Sequence, residues 1–158
     1  MKMTILYAAV WLLLLIGSSQ YSPGWKEIRT FRSTRADVER VLGSPTHSCQ
    51  LTCDYESNSE TVFIRYSDER CKPGNTDGFD IPPDTVLSVT VYPKRKVKLP
   101  DLKLDLTKFS KTKDPELQGY STYTNMESGV TYEVSDKNRV LSVQWFGAAK
   151  DIEALRCR

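Results

Sequence analysis

Five residues of the chain are best suited to covalent or metal chemistry: Cys49, Cys53, Cys71, Cys157 and His47. A tetrahedral zinc site needs thiolate and imidazole ligands in closely spaced pairs. No C-x-x-C knuckle occurs, His47 is the only imidazole, and Cys157 stands one residue from the end. A His47 base serving a Cys49 nucleophile would need a reduced thiol and a positioned ring. His47, however, follows Pro45 in a loop-like stretch. The third use is pairing into disulfides, which turns on the compartment.

The N-terminus answers that question. Lys2 precedes a 12-residue apolar run, Ile5 to Ile16, followed by Gly17, Ser18 and Ser19. The run is short of the roughly 20 residues that span a bilayer, and small residues close it, as in a secretory signal peptide. Residues 1–19 are read as that signal, with cleavage after Ser19, and residues 20–158 as one exported domain in the periplasm or outside the cell. No cysteine lies just after the apolar run, so no lipid anchor on a new N-terminal cysteine is expected. An even cysteine number in an exported chain points to two disulfides. Of the three pairings, Cys49 with Cys53 and Cys71 with Cys157 is preferred: the first closes a short loop beside a turn, the second pins the C-terminal tail to the domain.

The carboxylates Asp68, Glu69, Asp77, Asp80 and Asp84 crowd a Gly- and Pro-containing stretch but lack the D-x-D-x-D-G spacing of a calcium loop, so a solvated acidic loop is expected. Residues 54–84 carry a net charge of −5, and residues 94–113 a net +6, with Lys94, Arg95, Lys96 and Lys98 in close succession. Those four bases suit a contact with an acidic partner or a peripheral contact with an anionic membrane surface. As a solvated connector they would simply balance the acidic loop. A total charge of +2 is not the footprint of a nucleic-acid binder.

The elements that must position these residues show an internal repeat. Asp37-Val38-Glu39-Arg40-Val41 is echoed 68 residues later by Asp105-Leu106-Thr107-Lys108-Phe109, and Tyr55, Val62 and Ser67 by Tyr123, Val130 and Ser135. At an offset of 54, Val86-Leu87-Ser88-Val89 returns letter for letter as Val140-Leu141-Ser142-Val143. Thr34 with Asp37 is a capping-box variant opening a short helix that Gly43 and Pro45 end. Strands are predicted around Tyr55, at Thr61–Tyr66 and Thr85–Tyr92, then near Tyr120–Thr124, Gly129–Val134 and Arg139–Phe146, from period-two alternation. Pairing the halves predicts a second helix over Asp101–Lys111, although Leu102, Leu104 and Leu106 also alternate as a strand would. The expectation is an α+β fold: two helix-plus-three-stranded antiparallel meander repeats, about 25–93 and 94–158, with helices on one face of the sheet. The other face, and whichever of Tyr120, Tyr123, Tyr132, Trp145 and Phe146 it exposes, would be the contact surface.

Arg32-Ser33-Thr34-Arg35-Ala36-Asp37-Val38-Glu39-Arg40-Val41-Leu42-Gly43-Ser44-Pro45 resembles the helix-and-turn signature of the small outer-membrane assembly lipoproteins of the SmpA/OmlA (BamE-like) type. It also resembles a group of uncharacterised exported bacterial proteins with a similar S-T-R-x-D-V-E-x-x-L-G opening. The tandem plan is similar to that of the secreted β-lactamase inhibitor protein. The resemblance implies an envelope location and a helix-then-meander fold. With no nucleophile motif and one histidine, no catalytic, cofactor-binding or metal residue is assigned and no cofactor is expected. The function expected is a non-catalytic envelope or secreted module that binds an unidentified protein partner. The alternatives are a structural outer-membrane-associated assembly factor and a hydrolase with scattered carboxylates.

Overall fold

The computed structural model describes residues 24–72, 74, 77–113 and 119–158. The apolar run read as a signal peptide lies outside them. In chain order the elements are β1 (Gly24–Trp25), β2 (Ile28–Arg29), α1 (Arg35–Leu42), β3 (Thr52–Glu56), β4 (Glu60–Tyr66), β5 (Val86–Pro93) and β6 (Val97–Lys98). Two single-turn 3-10 helices, Leu99–Leu102 and Leu106–Lys108, lead to β7 (Ser110–Thr112), β8 (Tyr120–Asn125), β9 (Val130–Ser135), β10 (Arg139–Trp145) and α2 (Ala149–Leu155).

Eight strands make one antiparallel sheet in the order β3-β4-β5-β10-β9-β8-β7, with β6 also paired to β10. This corrects the expected fold class. The molecule is mainly a single antiparallel sheet, not two helix-plus-meander repeats. The second half carries no counterpart of α1, because Lys103 adopts a left-handed conformation (φ 51°) that ends the first 3-10 turn. The Asp105 side chain then accepts from the Thr107 N–H and starts a separate turn. Leu106, the counterpart of Val38 in the repeat, is 43% exposed, and Phe109, the counterpart of Val41, packs on the second core.

What the halves do share is strand register. In β4–β5, Val62, Ile64 and Tyr66 oppose Val91, Val89 and Val86, with Leu87 bulged out. In β9–β10, Val130, Tyr132 and Val134 oppose Trp145, Val143 and Val140, with Leu141 bulged out. The two meanders meet where Val91 pairs with Val143 and Val89 with Trp145, so both apolar faces fall on the same side of the sheet. Two core clusters lie there side by side, one around Val38, Ile64, Tyr66 and Val89, the other around Leu99, Val134 and Val140, and Trp145 packs against both.

α1 begins where the capping box places it. The Thr34 hydroxyl accepts from the Asp37 N–H at 3.3 Å, and the Asp37 carboxylate accepts from the Thr34 N–H at 2.9 Å. The Thr34 N–H, first, and the Thr34 hydroxyl, which donates to the same carboxylate at 2.9 Å, hold the Asp37 carboxyl below its ordinary pKa. Gly43, at φ 81°, ends the helix, and Val38 is its fully buried residue. α2 was not foreseen. It sits at the end of the sheet, tied by Ala149 N–H to Met126 C=O and by Asp80 N–H to Leu155 C=O.

Inside the first cluster the Tyr55 and Tyr66 hydroxyls hydrogen-bond at 3.0 Å, and burial raises both pKa values. Tyr66→Phe is expected to cost about 1–2 kcal/mol, because it strands the Tyr55 hydroxyl. The double replacement by Phe is expected to cost no more than the single one, measured by urea unfolding as a double-mutant cycle. Because both groups are raised above an unfolded value near 10, their contribution is complete below about pH 10 and is lost as pH rises further.

Candidate functional site

The strands that bury Val62, Ile64 and Val91 on one face necessarily turn the alternate residues to the other. On that second face Phe63, Arg65 and Tyr92 are exposed among the described residues. β4 presents Thr61, Phe63 and Arg65, β5 presents Ser88, Thr90 and Tyr92, and β9 presents Thr131 and Glu133. Phe63 and Tyr92 are 39% and 43% exposed, and their rings meet edge to face with centroids 5.6 Å apart. Each holds the other's orientation, so the pair is a preorganised apolar island among hydroxyls. The hydroxyls are bonded across strands, Thr124 to Thr131 at 3.0 Å and Ser142 to the Glu133 carboxylate at 3.0 Å.

Glu56 accepts from Lys94 and from Thr61, and these bonds, Lys94 first, hold its carboxyl below the usual range. The carboxylates whose environment shifts them, Asp37, Glu56 and Asp105, all shift downward.

The basic stretch lies at the rim of this face. Between the pairs Val91–Val143 and Val97–Val140 the β5–β6 side carries three more residues than β10, so Lys94, Arg95 and Lys96 loop out beside Tyr92. They do not act alike. The Lys94 ammonium is held internally by Glu56 and by the Ser57 carbonyl at 2.7 Å. The Arg95 and Lys96 side chains are exposed and make no ion pair or hydrogen bond among the described residues. Lys98, in β6, is exposed and separated from them by Val97.

The sequence reading looked for exposed aromatics in the second meander. Of those, Tyr123, Tyr132 and Trp145 pack on the second core, and Tyr120 is 43% exposed. Phe63 and Tyr92 were missed, although the alternation that puts Val62 and Ile64 inside already required Phe63 outside.

The cysteines pair as Cys49–Cys53 and Cys71–Cys157, with Cα atoms 5.2 and 5.5 Å apart. Disulfides of this kind belong to an oxidising, non-cytoplasmic environment. No helix among the described residues is long and apolar enough to cross a membrane. His47 is exposed, and Cys49 is not a free thiol. In the acidic loop Glu69 pairs with Lys72, Asp80 with Arg70 at 3.6 Å and Asp84 with Arg35 at 2.9 Å. These carboxylates thus face separate cations instead of converging. Comparison with protein-family models, with curated proteins and with solved structures finds no match to this chain.

Proposed function

We propose that the chain is an exported, non-catalytic module that binds another protein through this second sheet face, with Phe63 and Tyr92 as its anchors. The observation that supports this most is the exposed edge-to-face pair on a hydroxyl-rich surface. Aromatic anchors ringed by polar groups are what protein interfaces use, since large rigid rings bury much area at little entropic cost. The apolar N-terminal run and the two disulfides support export. Arg95 and Lys96 at the rim favour a partner that is acidic at that edge.

The test is recovery of partners from envelope and culture-medium fractions by the wild-type protein and by Phe63→Ala/Tyr92→Ala, followed by titration of the recovered protein. Each replacement is expected to weaken binding by about 10- to 30-fold while the domain stays folded. Replacing Arg95 and Lys96 with Ala is expected to slow association and flatten its salt dependence, with little change in dissociation. Equal binding by the Phe63→Ala/Tyr92→Ala protein would overturn the assignment of this face.

A further inference from the structure

Among the described residues, β1 and β2 cover the first core on the opposite, apolar face and the segment 99–104 covers the second, and a groove remains between the two covers over the buried Val91 and Val143. The groove measures about 350 Å³, within the size range of small-molecule sites. Val91 and Val143, paired across β5 and β10, lie in its lining, as do Trp25, Leu102, Tyr132 and Trp145.

The charges at the mouth are unequal. Glu60 is neutralised by Lys26 at 2.8 Å, and Lys26 itself rests 3.9 Å above the Trp25 ring. Arg95, which also lines the groove, makes no ion pair or hydrogen bond among the described residues. The Tyr132 hydroxyl likewise makes no hydrogen bond among them, and its ring is braced edge-on by Phe109. An apolar trough with one unpaired guanidinium at its mouth complements a molecule with an aliphatic body and a single anionic head, since guanidinium and carboxylate pair through two parallel hydrogen bonds. A peptide is the poorer occupant. At the Val91–Val143 and Val89–Trp145 pairs the floor strands bond each other, so the floor there offers a peptide backbone no ladder edge.

We propose that this groove binds a free long-chain carboxylate, its chain between Trp25 and Trp145 and its head on Arg95. The site lies on the face opposite the Phe63–Tyr92 pair and shares only Arg95, on the bulge after Tyr92, with the protein-contact reading, on which it does not rest.

The chain contains three tryptophans, Trp11, Trp25 and Trp145, and the protein made from residue 20 onward keeps only Trp25 and Trp145, both of which line the groove. That protein would be titrated below micellar concentration with octanoate, decanoate, dodecanoate and tetradecanoate, following tryptophan emission. A saturable one-to-one response is expected, tightening about fourfold per added methylene. Dodecanol is expected to bind about tenfold more weakly than dodecanoate, and Arg95→Ala to erase that difference. Arg95 is on an exposed bulge, so its replacement leaves the core intact. Phe63→Ala/Tyr92→Ala is expected to leave the titration unchanged, which separates this result from the fate of the contact face. No saturable response, no chain-length dependence, or equal binding of dodecanoate by the Arg95→Ala protein would overturn the proposal. So would an emission change with neutral phosphatidylcholine vesicles alone, which would assign the groove to bilayer lipid.

Discussion

Replacing Cys157 with Ser is expected to cost about 4–5 kcal/mol and to lower the thermal midpoint by roughly 10–20 °C. The Cys71–Cys157 bond joins residues 86 apart, so breaking it releases a long loop in the unfolded chain. The folded side also depends on it. The tail is held to the acidic loop by the Cys157 N–H to Gly78 C=O bond at 3.1 Å and by the Phe79–Arg156 bridge, and both lie beside the disulfide. Gly78 has φ 105°, a left-handed conformation that suits glycine at that turn. Cys53→Ser is the comparison, because Cys49–Cys53 joins residues only 4 apart. On the same chain-entropy relation its loss amounts to about 2 kcal/mol, apart from the packing of the buried Cys53. Differential scanning calorimetry under non-reducing conditions checks both. If Cys157→Ser shifts the midpoint no more than Cys53→Ser, loop closure is not what that bond contributes.

The second large effect is expected at Arg35. Its guanidinium lies 4.2 Å over the Tyr66 ring, donates to the Cys53 sulfur at 2.9 Å and to the Gln50 carbonyl, and pairs with Asp84 at 2.9 Å. Asp84 is 60% exposed, so the ion pair itself contributes little. The stacking on Tyr66 and the bonds that fix the Cys49–Cys53 loop contribute more. Arg35→Ala is expected to lower stability by about 2–3 kcal/mol, read as a lower urea midpoint at unchanged m value. Arg35→Lys keeps the charge but loses the planar fork and is expected to restore only about half. A loss below about 0.5 kcal/mol for Arg35→Ala would show the guanidinium to be a surface group that merely rests on the fold.

Much of the fold was legible locally. Period-two alternation placed the six meander strands, and for β4 it assigned Val62, Ile64 and Tyr66 to one face, because side-chain direction along a strand follows from the backbone alone. Thr34 and Asp37 marked the start of α1 through a bond pattern closed within four residues. The cysteine pairing followed from compartment and loop length. The segment 101–111 misled because the leucine spacing there suits helix and strand comparably, and repeat logic tipped the reading toward a helix. Tertiary packing settled it as two 3-10 turns that lay Leu99 and Phe109 on the second core. α2 was missed because its seven residues have no side-chain N-cap and are held by long-range bonds.

The candidate sites divide the same way. By itself the sequence determined that Phe63 stands opposite Val62 and Ile64, and that Lys94, Arg95 and Lys96 follow a strand, since both are consequences of neighbours along the chain. Only the tertiary structure decided that β5 pairs with β10 and makes one sheet of two meanders. Only it brought Tyr92 onto Phe63, tied Lys94 to Glu56 while giving Arg95 no ion pair or hydrogen bond among the described residues, and left a groove between the two covers. Each of those joins residues distant in the chain, and which distant surfaces meet is chosen by the burial of the whole apolar face, a quantity that no local window of sequence contains.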